Sequence, residues 1–487
     1  MSHLIYLLIM MLLAFSVPLS TAENASGALI VLGAIGIWRY SWAAINFSRA
    51  LYFAKIAFPR RRARVEAAYG ALPYRSHAFF LTTTFRIEPE ISLRVYRSIF
   101  EAAALSEGGA TVVASVVDAS DVRLIKGVFA AMTRDMSRVQ LIFDRIDGTG
   151  KRDALATSLA TIAKQCPTRR DIVIFVDGDS CVPVDIVARS APFFTNPQYG
   201  AVTTDERSEA VGSRMFRDWF DLRFAQRQMM MCSMGVSERV LTLTGRMSVF
   251  RADLATNRAF IEAVRKDHID HWRLGRIDFL TGDDKSTWYW LLSQGYKMGY
   301  MPDVSTLSIE TQPREGFVDS AVTLMVRWFG NMLRTNGRAL GLGPARIGFF
   351  TWWSLLDQRI SMWTTIAGPI SFLLVALFVD PLVLALYLSW VMFTRYLFCT
   401  AISLFRKGGF PVTYPVLLYF SQVFGAIVKT YILYRLDKQK WTRQKTTGRK
   451  SNRSNFVFLK SSFVSWHMQL LTIGWLAVSV SWMTGLI

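Results

Sequence analysis

At 487 residues with 52% hydrophobic side chains and a positive mean hydropathy, the chain is too long for one small domain and too apolar to be wholly soluble. Its formal net charge of +20 invites a nucleic-acid partner, yet much of the surplus flanks apolar segments and no aromatic-basic module or groove-reading motif accompanies it. Anchoring and anionic membrane lipid account for that charge, nucleic acid is set aside, and four scattered cysteines without a C-x-x-C pair fit reduced thiols rather than a disulfide scaffold.

Two apolar stretches open the chain, at residues 4–19 and 27–47, the second extending towards Phe58. Each is near the ~20 residues a helix needs to cross hydrocarbon. Ser20-Thr21-Ala22 resembles a signal-peptide cleavage site, but the leader before it carries no Lys or Arg. Arg60, Arg61, Arg62 and Arg64 follow the second stretch, while residues 21–26 hold no cation. The positive-inside rule therefore puts the chain beyond residue 60 in the cytoplasm. Residues 1–58 are expected to form two transmembrane helices and residues 59–345 a cytoplasmic domain.

Within that domain short apolar runs alternate with helical patterns. Strands are predicted at 78–84, 111–117, 140–143 and 171–176, and helices at 92–105, 122–132 and 153–164. The alternation predicts βαβ units and a mostly parallel sheet, which binds ligands beyond the carboxyl ends of its strands. Asp118, at such an end, reads as an acceptor for a nucleotide base or ribose, or equally as a turn or helix N-cap. Lys151 and Arg152 stand at a predicted helix start after a glycine-bearing loop, where an anion such as phosphate is favoured and a solvated helix end is the alternative. Asp177-Gly178-Asp179 follows a five-residue apolar strand; its hard oxygen donors suit Mg2+ or Mn2+ bridging nucleotide phosphates, and a plain turn would use the same residues.

Asp267-His268-Ile269-Asp270-His271 has zinc-ligand residue types without a third cluster, and is expected to be a polar loop. In Gly282-Asp283-Asp284, N-capping would use one acid; the other is surplus, and a carboxylate at a cleft edge can take a proton from a sugar hydroxyl. Arg327-Trp328 offers a guanidinium for a diphosphate and a ring for stacking on a pyranose, with a membrane anchor as the alternative.

Residues 346–358 read as a helix lying in the interface. Residues 360–379, 382–405, 412–433 and 468–487 are apolar enough to span. If all four crossed, residues 437–460, with eight Lys or Arg against one acid, would face outside. The charge asymmetry predicts instead that 411–436 is re-entrant or interfacial, or that a helix boundary lies elsewhere than this count puts it. Arg39, Arg395 and Lys429, within apolar segments, are expected to face protein or a wet path, with snorkelling the alternative for Lys429.

In order, Asp118, Asp177-Gly178-Asp179, Thr244-Gly245-Arg246, Gly282-Asp283-Asp284 and Arg327-Trp328 resemble the motif series of the processive family 2 glycosyltransferases, which include the cellulose, hyaluronan and chitin synthases. The resemblance covers roughly residues 75–330. Gly36-Ile37-Trp38-Arg39-Tyr40-Ser41, Phe58-Pro59-Arg60-Arg61 and the run from Trp328 to Arg334 narrow it to the bacterial alginate polymerases, which are mannuronosyl transferases. It implies an α/β GT-A domain inserted between N-terminal and C-terminal transmembrane helices, in a multi-pass protein of the bacterial inner membrane. It also implies a nucleotide-sugar donor, Mg2+ or Mn2+, inversion at the anomeric carbon and a growing polysaccharide as acceptor.

By position, Asp284 would be the catalytic base. Asp118, Lys151, Asp177 and Arg327 would hold nucleotide and diphosphate, and Asp177 with Asp179 the metal. Thr244, Gly245, Arg246, Asp283 and Trp328 would border the acceptor. For alginate the donor would be GDP-mannuronate and the linkage β-1,4, with Arg246, Arg251 and Lys285 as candidates for the uronate carboxylate. One departure is Leu324, where the family's Q-x-x-R-W places Gln. No tail of the size of the cyclic-di-GMP receptor domain of cellulose synthases is present, so that messenger would act through a co-polymerase subunit. The rivals are another polysaccharide synthase, a non-processive lipid glycosyltransferase, and a channel scaffold with an inactive domain.

Overall fold

The structure is a computed structural model that describes residues 2–278, 280–406, 409–438 and 455–486, with backbone alone at 455–461. Four runs rich in β-branched and aromatic residues form Ala78–Thr84 (β1), Ala110–Val116 (β2), Val139–Arg145 (β3) and Ile172–Asp177 (β4), paired in parallel in the order β3-β2-β1-β4. β2 is buried throughout, and β1 and β4 nearly so, which explains their unbroken apolar character. The helices Pro89–Ala104, Ala119–Ala130 and Lys151–Ala163 lie close to their predicted positions.

The sheet continues through strands that periodicity did not single out. Ser180–Cys181 (β5), Tyr199–Val211 (β6), Met247–Arg251 (β7) and Lys297–Thr311 (β10) extend it to β3-β2-β1-β4-β7-β6-β10-β5. β7 runs antiparallel to both β4 and β6, and the rest of the wide sheet is parallel apart from β5. Ile269–His271 (β8) and Gly275–Ile277 (β9) form a separate hairpin. The chain winds from β1 to β3 on one side and returns to β4 on the other, so the β1/β4 boundary is the switch point where a crevice opens.

Among the described residues five helices are long and apolar enough to cross a membrane: Ser26–Gly70, Phe349–Phe378, Val383–Ser403, Tyr414–Leu433 and Ser462–Met483. Of the two N-terminal spans expected, one reaches that length. Ser2–Phe15 has 14 residues and ends just ahead of Pro18, whose ring disfavours helix at the residue before it. Of the interfacial helix expected at 346–358, residues 349–358 open the continuous 30-residue Phe349–Phe378 helix, while Arg346 and Ile347 end the short Pro344–Ile347 helix before it.

Two of the four arginines in the last turns of the first long helix, at 60–64, are docked rather than solvated. Arg62 pairs with Asp303 at 2.7 Å, and Arg61 donates to the Gly235 carbonyl at 3.2 Å. The Tyr414–Leu433 helix touches the α/β domain at both ends. Thr413 Oγ1 donates to Asp218 at 2.8 Å and Trp219 Nε1 to Ser421 at 2.7 Å; at the far end Arg334 donates to the Leu436 carbonyl at 3.1 Å and Arg273 to that of Tyr434. Most of the basic segment at 437–460 lies outside the described residues.

Candidate active site

The site grows from the end of β4. Antiparallel β7 pairs Met247 with Val176, which carries the preceding Thr244-Gly245-Arg246 turn beside Asp177, whose N–H donates to the Arg246 carbonyl at 2.9 Å. Gly178 is required by close approach: a Cβ there would stand 2.2 Å from Ile87 Cδ1 and 2.7 Å from the Thr83 carbonyl oxygen.

The third wall is the start of the Asp283–Ser293 helix, and Arg152 fixes it. Its guanidinium, buried to 5% exposure, donates to the carbonyls of Leu280, Val264 and Gly282 and to Ser286 Oγ. Arg152 is thus a clamp on the loop, not the anion ligand that its place at a helix start suggested. Nor do the two acids cap their helix: Gly282 occupies the N-cap, and Asp283 and Asp284 both lie in the first turn.

Lys151 ties the walls together, with its ammonium 2.5 Å from Asp177 Oδ1 and 3.0 Å from Asp283 Oδ2. Gly245 lies between the chemically distinct acids. A Cβ on it would stand 3.7 Å from Asp177 Oδ2 and 3.9 Å from Asp284 Cγ, so the two carboxyl groups are no further apart than those distances added. Lys151, Asp177, Gly245, Asp283 and Asp284 line one pocket.

Crowding of carboxylates in a half-buried space sets the electrostatics. Burial, with Asp283 beside it, raises the Asp284 carboxyl above the usual carboxylate range against the pull of Lys285 and Lys151. Burial also lifts Asp177; Lys151 pulls it back, and Asp179 and Asp283 add to the lift. Against burial, Asp177 and Asp283 hold Lys151 protonated. Arg327 is within electrostatic reach of Asp177 and Asp179.

Asp177 and Asp179 offer oxygen donors only, on a turn whose glycine has no room for a side chain. That set fits Mg2+ or Mn2+, which take one or two carboxylates and complete their coordination with phosphate and water. Among the described residues no group of three or more His, Cys, Asp or Glu is placed to hold an ion unaided.

Other predicted residues fall around this centre. Asp118 is exposed at the N-cap of Ala119–Ala130 without a side-chain cap bond, on the same carboxyl edge as Asp177 and two strands away. Thr244 spends its hydroxyl within its own turn, donating to the Met247 carbonyl at 2.7 Å. Arg246 is held by Glu310 at 2.6 Å, Ser308 at 2.8 Å and Glu206 at 3.3 Å. Trp328 stacks on Trp219 with centroids 5.8 Å apart, and the Arg223 guanidinium lies 4.0 Å over its ring. Leu324 packs into the apolar cluster that also holds Phe216 and Trp219.

Two candidates for a uronate carboxylate are corrected. Arg251 pairs with Ile172, at the end of β4 opposite Asp177, and is taken by Asp253 at 2.7 Å. Lys285 donates to the Leu241 carbonyl at 2.9 Å, and burial lowers its pKa to about 8. The stretch at 267–271 leads into the β8–β9 hairpin rather than a plain loop, and Asp267 pairs with Arg338 at 2.7 Å. Glu206, Glu310 and Arg223 escaped the sequence reading, because their partners are distant in the chain and no local spacing marks them.

Residues 79–331 match the family described as glycosyltransferase like family 2. The chain is 42% identical over 445 residues to Glycosyltransferase alg8 of Pseudomonas syringae pv. tomato, covering 91% of this chain and 90% of that one. It is 41% identical over 473 residues to the protein of the same name from Azotobacter vinelandii, covering 96% and 94%. Among solved structures, the mannosyltransferase PcManGT of Pyrobaculum calidifontis in complex with GDP-Man and Mn2+ is similar at 16% identity and a TM-score of 0.44, covering 81% of this chain and 100% of that one. That likeness is too slight to carry ligand or chemistry across.

Proposed function

The chain belongs to the family 2 glycosyltransferases, and from that premise we propose that it is an inverting polymerase of the alginate type, adding mannuronosyl units from GDP-mannuronate to a growing β-1,4 chain that leaves through its membrane helices. One observation carries this reading: Asp177 and Asp284, more than a hundred positions apart, stand on either side of Gly245 in one pocket closed by Lys151.

In this mechanism the acceptor hydroxyl gives its proton to Asp284 while its oxygen bonds to the anomeric carbon from the face opposite the diphosphate. The bond from that carbon to the diphosphate oxygen breaks, and GDP leaves with the electron pair. The raised pKa of Asp284 makes it a stronger proton acceptor than an ordinary carboxylate. Asp118 and Arg327 hold the nucleotide and its diphosphate, and Lys151 keeps Asp177 and Asp283 together under the charge that develops. Asp177 and Asp179 would hold a divalent cation, whose Lewis acidity would neutralise charge on the leaving diphosphate. The Trp328 ring, beside Arg327, supports the sugar end of the chain.

The paired ends of the Tyr414–Leu433 helix support an arrangement with the α/β domain in the cytoplasm and this helix returning to that face. The deciding experiment offers purified protein a panel of GDP- and UDP-sugars with Mg2+ or Mn2+ and sizes the product. Polymer from GDP-mannuronate is expected; transfer from a different donor, or of a single sugar to lipid, would overturn the reading.

A further inference from the structure

Four described apolar helices, Ser26–Tyr52, Phe349–Phe378, Val383–Ser403 and Tyr414–Leu433, carry five basic residues and one acid. The cations are Arg39, Arg49, Arg359, Arg395 and Lys429, and the acid is Asp357. Such an excess in helices of this kind is costly unless an anion compensates it.

Two of these cations, Lys429 and Arg39, form a connected series with Arg223. Arg223, on the Arg214–Gly235 helix, sits 4.0 Å over Trp328 and within electrostatic reach of Arg246. Lys429 sits 4.7 Å over the next ring along, Phe329, and within electrostatic reach of Asp357, which Arg39 already holds, and of Arg223 and Arg39. Arg39 takes the single acid, Asp357, at 2.6 Å and Thr364 at 2.9 Å, and its Nη2 is buried without a partner. Among the described residues neither Arg223 nor Lys429 has a carboxylate at ion-pair distance. Burial first, and Arg246 second, lower the Arg223 pKa below its ordinary value, the mark of a cation that lacks a counter-charge.

We propose that Arg223, Lys429 and Arg39 form a cationic rail that holds the carboxylates of an acidic sugar polymer, a chain of uronic acid residues, as it passes from the pocket over Trp328 and Phe329 into the helices. The inference rests on the polymerase reading above. Ring faces interleaved with cations match a ligand bearing one carboxylate on each pyranose. A neutral glycan would leave the charges uncompensated, and a lipid offers one headgroup rather than a repeating series.

The test uses the full chain in neutral nanodiscs and compares binding of an oligomannuronate with that of a neutral β-1,4-mannan oligomer of equal length. The wild-type protein should prefer the oligouronate. Arg223→Gln and Lys429→Gln should each weaken that binding about tenfold or more, the size of a bond to a charged group, while the neutral oligomer binds as before. Lys429→Met should bind the oligouronate weakly yet unfold at the same or a higher temperature, whereas a merely structural lysine would lower it. Equal wild-type affinity for the two oligomers, or wild-type oligouronate binding by both glutamine variants, would overturn the proposal. So would displacement of the oligouronate by added phosphatidylglycerol, which would assign the rail to lipid. Failure of the polymerase reading is a separate result: oligouronate preference intact, and no transfer from any nucleotide-uronate.

Discussion

Asp284 carries opposite expectations for activity and stability. Its pKa is raised in the folded protein by burial and by Asp283, so folding favours its protonated form. The stability it contributes is present below the usual carboxylate pKa and is lost as pH rises through the raised value. Asp284→Asn removes that liability: transfer should fall by about 10² to 10⁴, the range for a general base, while the thermal midpoint stays or rises. A rate-pH profile of the wild-type enzyme should have its acid limb above the ordinary carboxylate range; a limb within that range would reject Asp284 as the base. Two glycines give a second contrast. At Gly245 an added methyl meets nothing closer than 3.7 Å but fills the space between Asp177 and Asp284, so Gly245→Ala should fold normally and lose at least about tenfold in transfer, roughly 1.4 kcal/mol in the barrier. At Gly178 the methyl would stand 2.2 Å from Ile87, so Gly178→Ala should cost about 1–3 kcal/mol of stability in thermal melts. The acids were legible in the sequence because each closes an apolar run or opens a helix. Glu206 and Glu310 were not, since they lie 40 and 64 positions from the Arg246 they hold.

Whole elements were legible where burial is two-sided. β1, β2 and β4 read as unbroken apolar runs, but β6 and β10 carry Asp205, Glu206, Glu310 and Pro302, and their charges are answered by Arg246, Arg227 and Tyr300 from elsewhere in the chain. Periodicity cannot see a polar residue whose partner is remote. The clamp on the loop before Asp283–Ser293 has the same character and yields an element-scale prediction. Arg152 satisfies three backbone carbonyls at once, and a lysine ammonium lacks the planar fork to reach them together. Arg152→Lys should lower stability by roughly 2–4 kcal/mol, since it leaves buried acceptors unpaired. Transfer should drop with it, because both acids ride on the loosened turn. A variant that melts like the wild type would show that the loop holds itself.

For the molecule as a whole the question is which side each loop faces, and charge counting and length counting give different answers for Tyr414–Leu433. Tyr414–Leu433 has 20 residues, enough to cross, yet residues before and after it bond to one α/β domain. A helix that crossed would carry one end about 30 Å away, across the hydrocarbon. In the returning arrangement proposed above, Lys438 lies on the side of Arg61 and Arg62, which bind that same domain, in keeping with the positive-inside rule. Cysteines placed one at a time at Gly409, Lys438 and Val379, in a background whose native thiols are removed, distinguish the arrangements. With an impermeant maleimide on intact spheroplasts, Val379→Cys, in the link between Phe349–Phe378 and Val383–Ser403, should label at once. Gly409→Cys and Lys438→Cys should label only after permeabilisation, because they flank a helix that returns to its starting face. Labelling of one of those two from outside would make Tyr414–Leu433 a true span.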